Sequence, residues 1–288
     1  MIPPPFEYHA PRSIGEALSL LSNLGSEAKL LAGGHSLLPM MKLRFAQPAH
    51  LIDLNRISEL RGIREEGANV VIGAMTTEAE LITSPVVRGK LPLLAEGAGQ
   101  IADPQVRCKG TIGGDISHGD PGNDHPALMI ALDASFVLTG RQGQRSVKAD
   151  GFFLGLYSNQ LAADEILTQI RIPIPDPGTG WSYQKLKRKT GDFATAASAV
   201  VLQMKGTNVA RVAIALTNAG PTALKANAAE TSLIGKPINE ASLSEAARLA
   251  MSICDPSPDQ RGDAAYKTAM CGEMTRRALQ SAAARAKG

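Results

Sequence analysis

Two glycine pairs, about eighty residues apart, constrain the folding of this 288-residue chain more than any other feature of its sequence. Glycine lacks a Cβ atom, so it enters left-handed backbone conformations and lets a ligand approach the main chain closely. Successive backbone N–H groups in such a turn form a concavity that binds anions. The two segments are Ala32-Gly33-Gly34-His35-Ser36 and Thr111-Ile112-Gly113-Gly114-Asp115.

Both segments follow apolar sequence, residues 29–31 in one case and the region around Ile101 in the other, so we predict two turns that follow strands. One Gly-Gly turn alone indicates only a tight connection. Two such turns with polar neighbours, Ser36 on the first and Thr111 and Asp115 on the second, favour a shared site for the two negative charges of a pyrophosphate. The pair therefore predicts a dinucleotide cofactor.

Composition argues against several other classes of protein. Apolar residues make up 44% of the chain and charged residues 20%, as in a typical globular protein. The net charge is only +3, and no stripe of lysine and arginine is interleaved with aromatic residues, so we expect no nucleic-acid partner. No apolar run approaches the roughly eighteen residues of a membrane span, and no signal-peptide pattern is present. We therefore expect no membrane span and a cytoplasmic location.

The cysteines and histidines indicate neither disulfides nor a metal site, and two common nucleotide-binding patterns are absent. Cys108, Cys254 and Cys271 lack C-x-x-C spacing, which argues against disulfides, structural zinc and iron–sulfur clusters, so we predict that all three are packing residues. The Rossmann pattern G-x-G-x-x-G and the Walker pattern G-x-x-x-x-G-K-[ST] are both absent. No two histidines have the spacing that places metal ligands on one helix face, so no metal site is predicted. The five histidines are His9, His35, His50, His118 and His125.

Turn residues and hydrophobic periodicity predict an α+β chain with three units. Ser13 with Glu16, and Thr77 with Glu80, are typical of capping boxes at helix starts. Prolines and glycines between residues 173 and 180 predict a boundary after residue 177. The predicted units are an N-terminal β-α-β unit (1–58), a middle α/β unit (59–177) and a C-terminal α+β domain (178–288). Predicted strands cover 29–32, 50–54, 69–74, 135–139, 165–174, 182–186, 196–204 and 209–217, and predicted helices cover 13–25, 85–100, 124–133 and much of the chain beyond 222.

Three polar features are candidates for ligand contacts, and each has a simpler structural alternative. Asp124 could accept a hydrogen bond from a ribose or ribityl hydroxyl, but capping of the following helix by Asn123 or Asp124 is favoured. The lysine-rich run 185–189 could contact phosphates or an acidic partner, although alternating lysines on a strand more often form a solvated face. Arg107 could meet a carboxylate or phosphate, and a structural ion pair is an equal alternative.

These segments together resemble the FAD-binding medium subunits of molybdenum hydroxylases, most closely those of the aerobic carbon monoxide dehydrogenase type. The resemblance rests on both glycine segments, on Gly119-Asp120-Pro121-Gly122-Asn123-Asp124, on the lysine-rich run and on Gly191-Asp192-Phe193-Ala194. It covers essentially the whole chain. It implies a two-part FAD-binding unit of the vanillyl-alcohol-oxidase (PCMH) type, followed by a C-terminal domain with a small antiparallel sheet and helices.

The resemblance also implies roles for individual residues. Both glycine segments would bind the pyrophosphate, and Asp124 would bond the sugar-like hydroxyls of the cofactor. Ile101 and Leu167 would contact its rings, Lys185 lies near a lysine position of the wider family, and Phe193 would lie near the isoalloxazine. This sequence has His35-Ser36 where many relatives have Thr-Asp, and Asp115 where many have Asn. No side chain is expected to act as a catalytic acid or base.

The implied partners carry the remaining redox centres. A large subunit would hold the molybdenum cofactor and oxidise the substrate, and a small subunit would hold two [2Fe–2S] clusters, with the whole assembled as a dimer of heterotrimers. Electrons would leave FAD for a quinone or another acceptor, and partners could bring the complex to the inner face of the membrane. The alternatives are the flavin subunit of a xanthine-, nicotinate- or aldehyde-type hydroxylase, a stand-alone FAD oxidoreductase, and a flavin-free assembly subunit.

Overall fold

A three-stranded parallel sheet forms the N-terminal part of residues 2–286, which the computed structural model describes. Its strand order is β1-β3-β2, with α1 between β1 and β2 along the chain and α2 between β2 and β3. This confirms the predicted β-α-β arrangement around the first glycine pair. The elements are β1 (Glu7–His9), α1 (Ile14–Leu24), β2 (Ala28–Leu31), α2 (Leu37–Lys42) and β3 (His50–Asp53).

Helix α1 begins where the sequence predicts, but with half of the predicted capping box. The Ser13 hydroxyl accepts a hydrogen bond from the N–H of Glu16. The Glu16 carboxylate accepts from the N–H of Arg12 instead of the N–H of Ser13. The helix buries one apolar face against the sheet, where Ala17 and Leu18 join the same core cluster as Ile52 of β3.

The middle part is a five-stranded antiparallel sheet in the order β4-β5-β10-β6-β7, covered by helices. A separate two-stranded sheet, β8 with β9, lies between β7 and β10 along the chain. The strands are β4 (Ile63–Glu66), β5 (Asn69–Gly73), β6 (Ser135–Gly140), β7 (Gly143–Lys148), β8 (Phe153–Gly155), β9 (Ser158–Asn159) and β10 (Ile166–Pro173). The helices are α3 (Glu78–Thr83), α4 (Pro85–Lys90), α5 (Pro92–Gln100), α6 (Pro104–Arg107), α7 (Ile112–His118) and α8 (His125–Ala131).

Two predictions for this middle part are wrong. The single helix predicted over 85–100 is two helices, because Pro92 has no N–H to continue α4 and instead begins α5. The second glycine pair does not follow a strand. It follows the short helix α6 and forms the first turn of α7, with Thr111 as the N-cap residue. The predicted capping box of Thr77 and Glu80 is confirmed in full at the start of α3.

The C-terminal part is a four-stranded antiparallel sheet in the order β11-β12-β13-β14, followed by three helices. Residues alternate along β12: Ala197 and Ala199 join the core of the middle part, whereas Val200 and Leu202 pack with the C-terminal helices. The prediction of strands followed by helices is confirmed. The elements are β11 (Gly180–Leu186), β12 (Ala196–Lys205), β13 (Asn208–Thr217), β14 (Leu224–Lys225), α9 (Asn227–Leu233), α10 (Glu240–Met251) and α11 (Ala264–Arg285).

The predicted α+β class is confirmed, with 37% of residues in helices and 28% in strands. No helix within residues 2–286 is both long enough and apolar enough to cross a membrane. Of the three cysteines predicted to pack, Cys271 is buried and Cys254 is half-buried, but Cys108 is exposed at the end of α6. The proposed unit boundaries after residues 58 and 177 stay predictions.

Candidate functional site

The first glycine segment contacts the two residues that immediately precede the second segment. A Cβ atom added to Gly33 would stand 2.2 Å from the carbonyl oxygen of Lys109 and 2.8 Å from Cα of Gly110. A Cβ added to Gly114 would stand 3.4 Å from Cβ of Ala32. Main-chain atoms of the N-terminal and middle parts therefore touch at a place where no side chain fits.

The first segment presents a row of backbone donors. It connects the end of β2 to the start of α2, and Gly34 has a φ of +75°, which favours glycine. Within residues 2–286, no acceptor bonds the N–H groups of Gly33, Gly34, His35 and Ser36. Consecutive free donors in a left-handed turn are the basis of an anion-binding nest. This segment can hold a phosphate group as predicted from its sequence.

The second segment differs from the predicted nest because the protein already uses its first N–H groups. The N–H of Ile112 donates to the carbonyl of Thr76 at 3.0 Å, and that of Gly113 donates to the carbonyl of Ala74 at 2.9 Å. The N–H of Gly114 donates to the Thr111 hydroxyl at 3.2 Å. Gly114 and Asp115 are only partly buried, so this segment offers close approach to its backbone in place of a second set of free donors.

Asp124 is part of a buried ionic cluster. Its Oδ2 atom lies 2.6 Å from Nζ of Lys185, and the two side chains are 5% and 1% exposed. Its Oδ1 atom accepts a hydrogen bond of 2.5 Å from the hydroxyl of Tyr183, which also lies 3.2 Å from the hydroxyl of Thr217. Two favoured interpretations are therefore wrong: the Asp124 side chain makes no helix-capping bond, and Lys185 is not on a solvated face.

The carbonyl oxygen of Gln100, the last residue of α5, accepts hydrogen bonds from two lysines of the run 185–189. Nζ of Lys185 lies 3.3 Å from this oxygen, and Nζ of Lys187 lies 3.2 Å from it. Partial burial, followed by repulsion from Lys185, lowers the pKa of Lys187. The run thus places positive charge at the end of α5 beside Ile101. The sequence did not indicate this, because the contact joins positions more than eighty residues apart.

A second buried ion pair lies in the same region, and sequence reasoning missed it. Nε2 of His125 is 2.8 Å from a carboxylate oxygen of Glu78, and both side chains are buried. Burial alone lowers the pKa of His125, but the Glu78 carboxylate outweighs burial and raises that pKa to about 9. Burial raises the pKa of Asp115 to about 7, against the opposing effect of His125. Within residues 2–286, Oδ2 of Asp115 and Nδ1 of His125 have no hydrogen-bond partner.

The other predicted site residues occupy different environments. Ile101 is half-buried directly after α5, and Leu167 is 4% exposed in the core of the middle sheet. Phe193 is 47% exposed, and its ring lies beneath the guanidinium of Arg261 at 5.5 Å. A Cβ added to Gly122 would stand 3.5 Å from that ring, so Phe193 lies against the segment that precedes Asp124.

The Arg107 side chain pairs with no carboxylate within residues 2–286. Its guanidinium donates to the carbonyl oxygens of Ile101 at 2.7 Å and Ala102 at 3.2 Å. These bonds hold the irregular turn in which Ala102 has a φ of +42°. Arg107 therefore shapes the backbone between α5 and α6, and the suggested ion pair is wrong.

The sequence of the chain matches two protein-family models. Residues 4–175 match the model described as the FAD binding domain in molybdopterin dehydrogenase. The chain belongs to this molybdopterin dehydrogenase FAD-binding family. Residues 181–282 match the CO dehydrogenase flavoprotein C-terminal domain, so the two matches together cover most of the chain. The FAD-binding fold inferred from the resemblance is confirmed.

Within the molybdopterin dehydrogenase flavoproteins, the similarity to individual proteins extends over the full chain. The chain is 63% identical over 285 residues to the carbon monoxide dehydrogenase medium chain of Hydrogenophaga pseudoflava, with 99% of each chain covered. It is 52% identical over 287 residues to the medium chain of Afipia carboxidovorans, with 100% of each covered. A chain in the solved structure of the Hydrogenophaga pseudoflava enzyme lacking the Mo-pyranopterin moiety superposes with a TM-score of 0.99, at 64% identity and full coverage of both chains.

Proposed function

We propose that this chain is the FAD-carrying medium subunit of an aerobic carbon monoxide dehydrogenase. In this role it takes electrons from [2Fe–2S] clusters of a partner subunit and passes them to a quinone-type acceptor. The observation that carries the proposal is the row of four free N–H groups at Gly33 to Ser36, which Gly33 holds against the two residues that precede the second segment. Full-length identity of 63% to a carbon monoxide dehydrogenase medium chain supports the choice of enzyme.

The residues present fit the cofactor. The free N–H groups of the first segment would hold the pyrophosphate, and Gly114 would let it approach the backbone of α7. Lys185 and Tyr183 fix the orientation of Asp124, whose remaining lone pairs would accept hydroxyl groups of the cofactor. The proposed ring contacts come from Ile101, Leu167 and Phe193, and the remaining proposed contacts from Ala32, Thr111, Ile112, Gly113 and Asp115.

FAD supplies both one-electron and two-electron chemistry when it is bound. The chain would therefore bind and orient the cofactor and limit access of water to it. Three cysteines are fewer than the four thiolates of an ordinary [2Fe–2S] cluster, which supports placing the clusters in a partner. We propose a molybdenum-containing large subunit and an iron–sulfur small subunit, in a cytoplasmic dimer of heterotrimers that contacts the membrane only through partners.

Replacing Gly33 tests the proposed pyrophosphate site. We expect Gly33→Val to abolish FAD binding, because its side chain would force the Lys109 carbonyl away from the first segment. The measurement is flavin absorbance per chain, with circular dichroism to check the fold. Gly89→Val is the matched control, because a Cβ at Gly89 meets no atom within 4 Å. Wild-type flavin content in Gly33→Val would refute the site.

The choice of enzyme is tested in the purified complex. Copurification with a molybdenum subunit and an iron–sulfur subunit, together with carbon monoxide oxidation linked to quinone reduction, is the expected result. Activity confined to a heteroaromatic or aldehyde substrate would indicate the flavin subunit of another molybdenum hydroxylase. Turnover of a small donor by the chain without partners would indicate a stand-alone oxidoreductase.

A further inference from the structure

We propose that Glu7, His9 and His50 form a binding site for a divalent transition-metal ion of the Zn²⁺ class. The site lies on the N-terminal sheet, outside the glycine segments and the Asp124 cluster. It is independent of the proposed FAD function. The ion would fasten the short edge strand β1 to β3.

Strand pairing brings the three side chains to one face of the sheet. Glu7 of β1 is directly opposite His50 of β3 in the parallel register. His9 is two residues beyond Glu7, so it points to the same face. On β2, the other neighbour of β3, the buried residue Ala28 pairs with His50. The sequence spacing of the histidines could not indicate this site, because they meet across two strands and not along one helix.

The distances between the ligand atoms suit tetrahedral coordination. Nε2 of His9 lies 3.2 Å from Nδ1 of His50, and Nδ1 of His50 lies 3.4 Å from a carboxylate oxygen of Glu7. The three ligand atoms all lie within 4.8 Å of one another. Zinc–ligand bonds of about 2.0–2.1 Å at tetrahedral angles place neighbouring ligand atoms roughly 3.3–3.4 Å apart. Small rotations of the exposed Glu7 side chain would complete the set.

The chemistry of the ligands selects the class of ion. Two imidazoles and one carboxylate suit zinc and its neighbours in the first transition series, whereas magnesium and calcium prefer oxygen ligands only. A metal ion satisfies both imidazole nitrogens at once, whereas a hydrogen bond between them needs one to donate and the other to accept.

Solvent can reach the cluster. The Glu7 side chain is 74% exposed, and that of His50 is 16% exposed. An open cavity of about 690 Å³ borders His9 and runs along the polar side of α1 past Ser13 and Glu16. An ion can therefore enter from this side, and a water molecule can occupy the fourth coordination position.

Metal binding by the full chain tests the proposal. Chelator-treated protein carrying Cys108→Ser, which removes the exposed thiol, is dialysed against Zn²⁺ or Co²⁺ and the bound metal is measured. We expect about one ion per chain, with the visible absorption of tetrahedral Co²⁺, and a rise in Tm on adding Zn²⁺. The double variant His9→Gln/His50→Gln should lose that ion and the Tm shift. His118→Gln, which removes a histidine outside the cluster, should keep both.

The site would be overturned if the parent protein retained no metal, or if the double variant retained as much metal as the parent. Circular dichroism verifies that the double variant folds. If it does not, Glu7→Gln decides, because its exposed side chain contributes little to folding. We expect Glu7→Gln to bind Zn²⁺ about tenfold more weakly or worse in a chelator competition, since even groups that only orient ligands cost about 10–100-fold when removed. Unchanged affinity in Glu7→Gln would equally exclude the proposed coordination.

Discussion

At the scale of single residues, the buried charges around Asp124 most strongly limit which substitutions the fold tolerates. Asp124 and Lys185 neutralise each other at 2.6 Å with almost no exposure to solvent. Removing one partner of such a pair leaves the other charge uncompensated in a medium of low dielectric constant. Tyr183 adds a hydrogen bond to the carboxylate but no charge. Asp124 and Lys185 were each recognisable in the sequence, but their pairing was not.

We expect Lys185→Met to lower the free energy of unfolding by about 3–5 kcal/mol in the flavin-free chain. The substitution leaves the buried Asp124 carboxylate without an opposite charge. Lys189→Met is the matched control in the same run, where the lysine is exposed, and should change stability by less than about 0.5 kcal/mol. Urea unfolding of both variants provides the measurement. Equal stability of the two variants would contradict a buried ion pair.

The raised pKa of Asp115 predicts how the stability of the chain depends on pH. Its pKa is raised to about 7 in the folded chain from an ordinary value of 3.8, so the folded state binds more protons than the unfolded state between those values. Stability that Asp115 contributes in its protonated form is therefore lost as pH rises from about 4 through 7. His125, with its pKa raised to about 9 from 6.5, extends the loss from about pH 6.5 to 9.

We expect Asp115→Asn to reduce the loss of stability between pH 5 and pH 7.5, because the neutral amide has no proton to release. The measurement is the urea midpoint of the flavin-free chain at each pH. Asp164→Asn, a change at an exposed carboxylate, should retain the slope of the unaltered chain. An unchanged slope in Asp115→Asn would show that Asp115 is ionised throughout.

At the scale of elements, local signals predicted where most helices and strands lie, but contacts between elements decided the exceptions. The capping residues before α1 and α3, and the apolar strands of the three larger sheets, act through neighbours in sequence. The second glycine pair was misassigned because Gly-Gly is typical of turns, and because α7 obtains its acceptors from Ala74 and Thr76 in a distant segment. Local propensity carries no information about such bonds.

The packing of helix α11 on strand β11 predicts how a substitution between these two elements changes stability. A Cβ added to Gly180 would stand 2.0 Å from the carbonyl oxygen of Ala282, so Gly180→Ala must push the helix away from the strand. We expect a loss of about 1–3 kcal/mol in the free energy of unfolding. Gly99→Ala, at an exposed helical site with no atom within 4 Å, should instead stabilise the chain by up to about 1 kcal/mol. Chemical denaturation measures whether each substitution lowers or raises the free energy of unfolding.

At the scale of the whole molecule, the candidate site draws on all three parts of the chain. The first glycine segment belongs to the N-terminal part, Asp115 and Asp124 to the middle part, and Lys185 to the C-terminal sheet. The glycine segments and the lysine run were visible in the sequence because each is a short local pattern. Glu78 and His125 were not, because they are 47 residues apart and each alone is an ordinary residue.

A site shared by three parts predicts that FAD stabilises the chain as one unit. At a free FAD concentration about 100 times its Kd, the free energy of unfolding should rise by about 2.7 kcal/mol. Thermal scans of the flavin-free chain with and without FAD measure the shift in Tm. Gly33→Val should show no shift, and Gly89→Val should respond as the unaltered chain does. A single early transition unaffected by FAD would indicate that one part unfolds independently of the site.

The contact of Gly33 with Lys109 also limits how far the packing of the N-terminal and middle parts can change as the sequence changes. Elsewhere, the distance between two packed units can drift as side chains at their boundary grow or shrink. Here the two units meet through backbone atoms. The distance between them at this point is therefore the same for every sequence that keeps the glycine. Backbone atoms therefore set the separation of the two units at this contact. Surface residues around the contact can change while this separation stays the same.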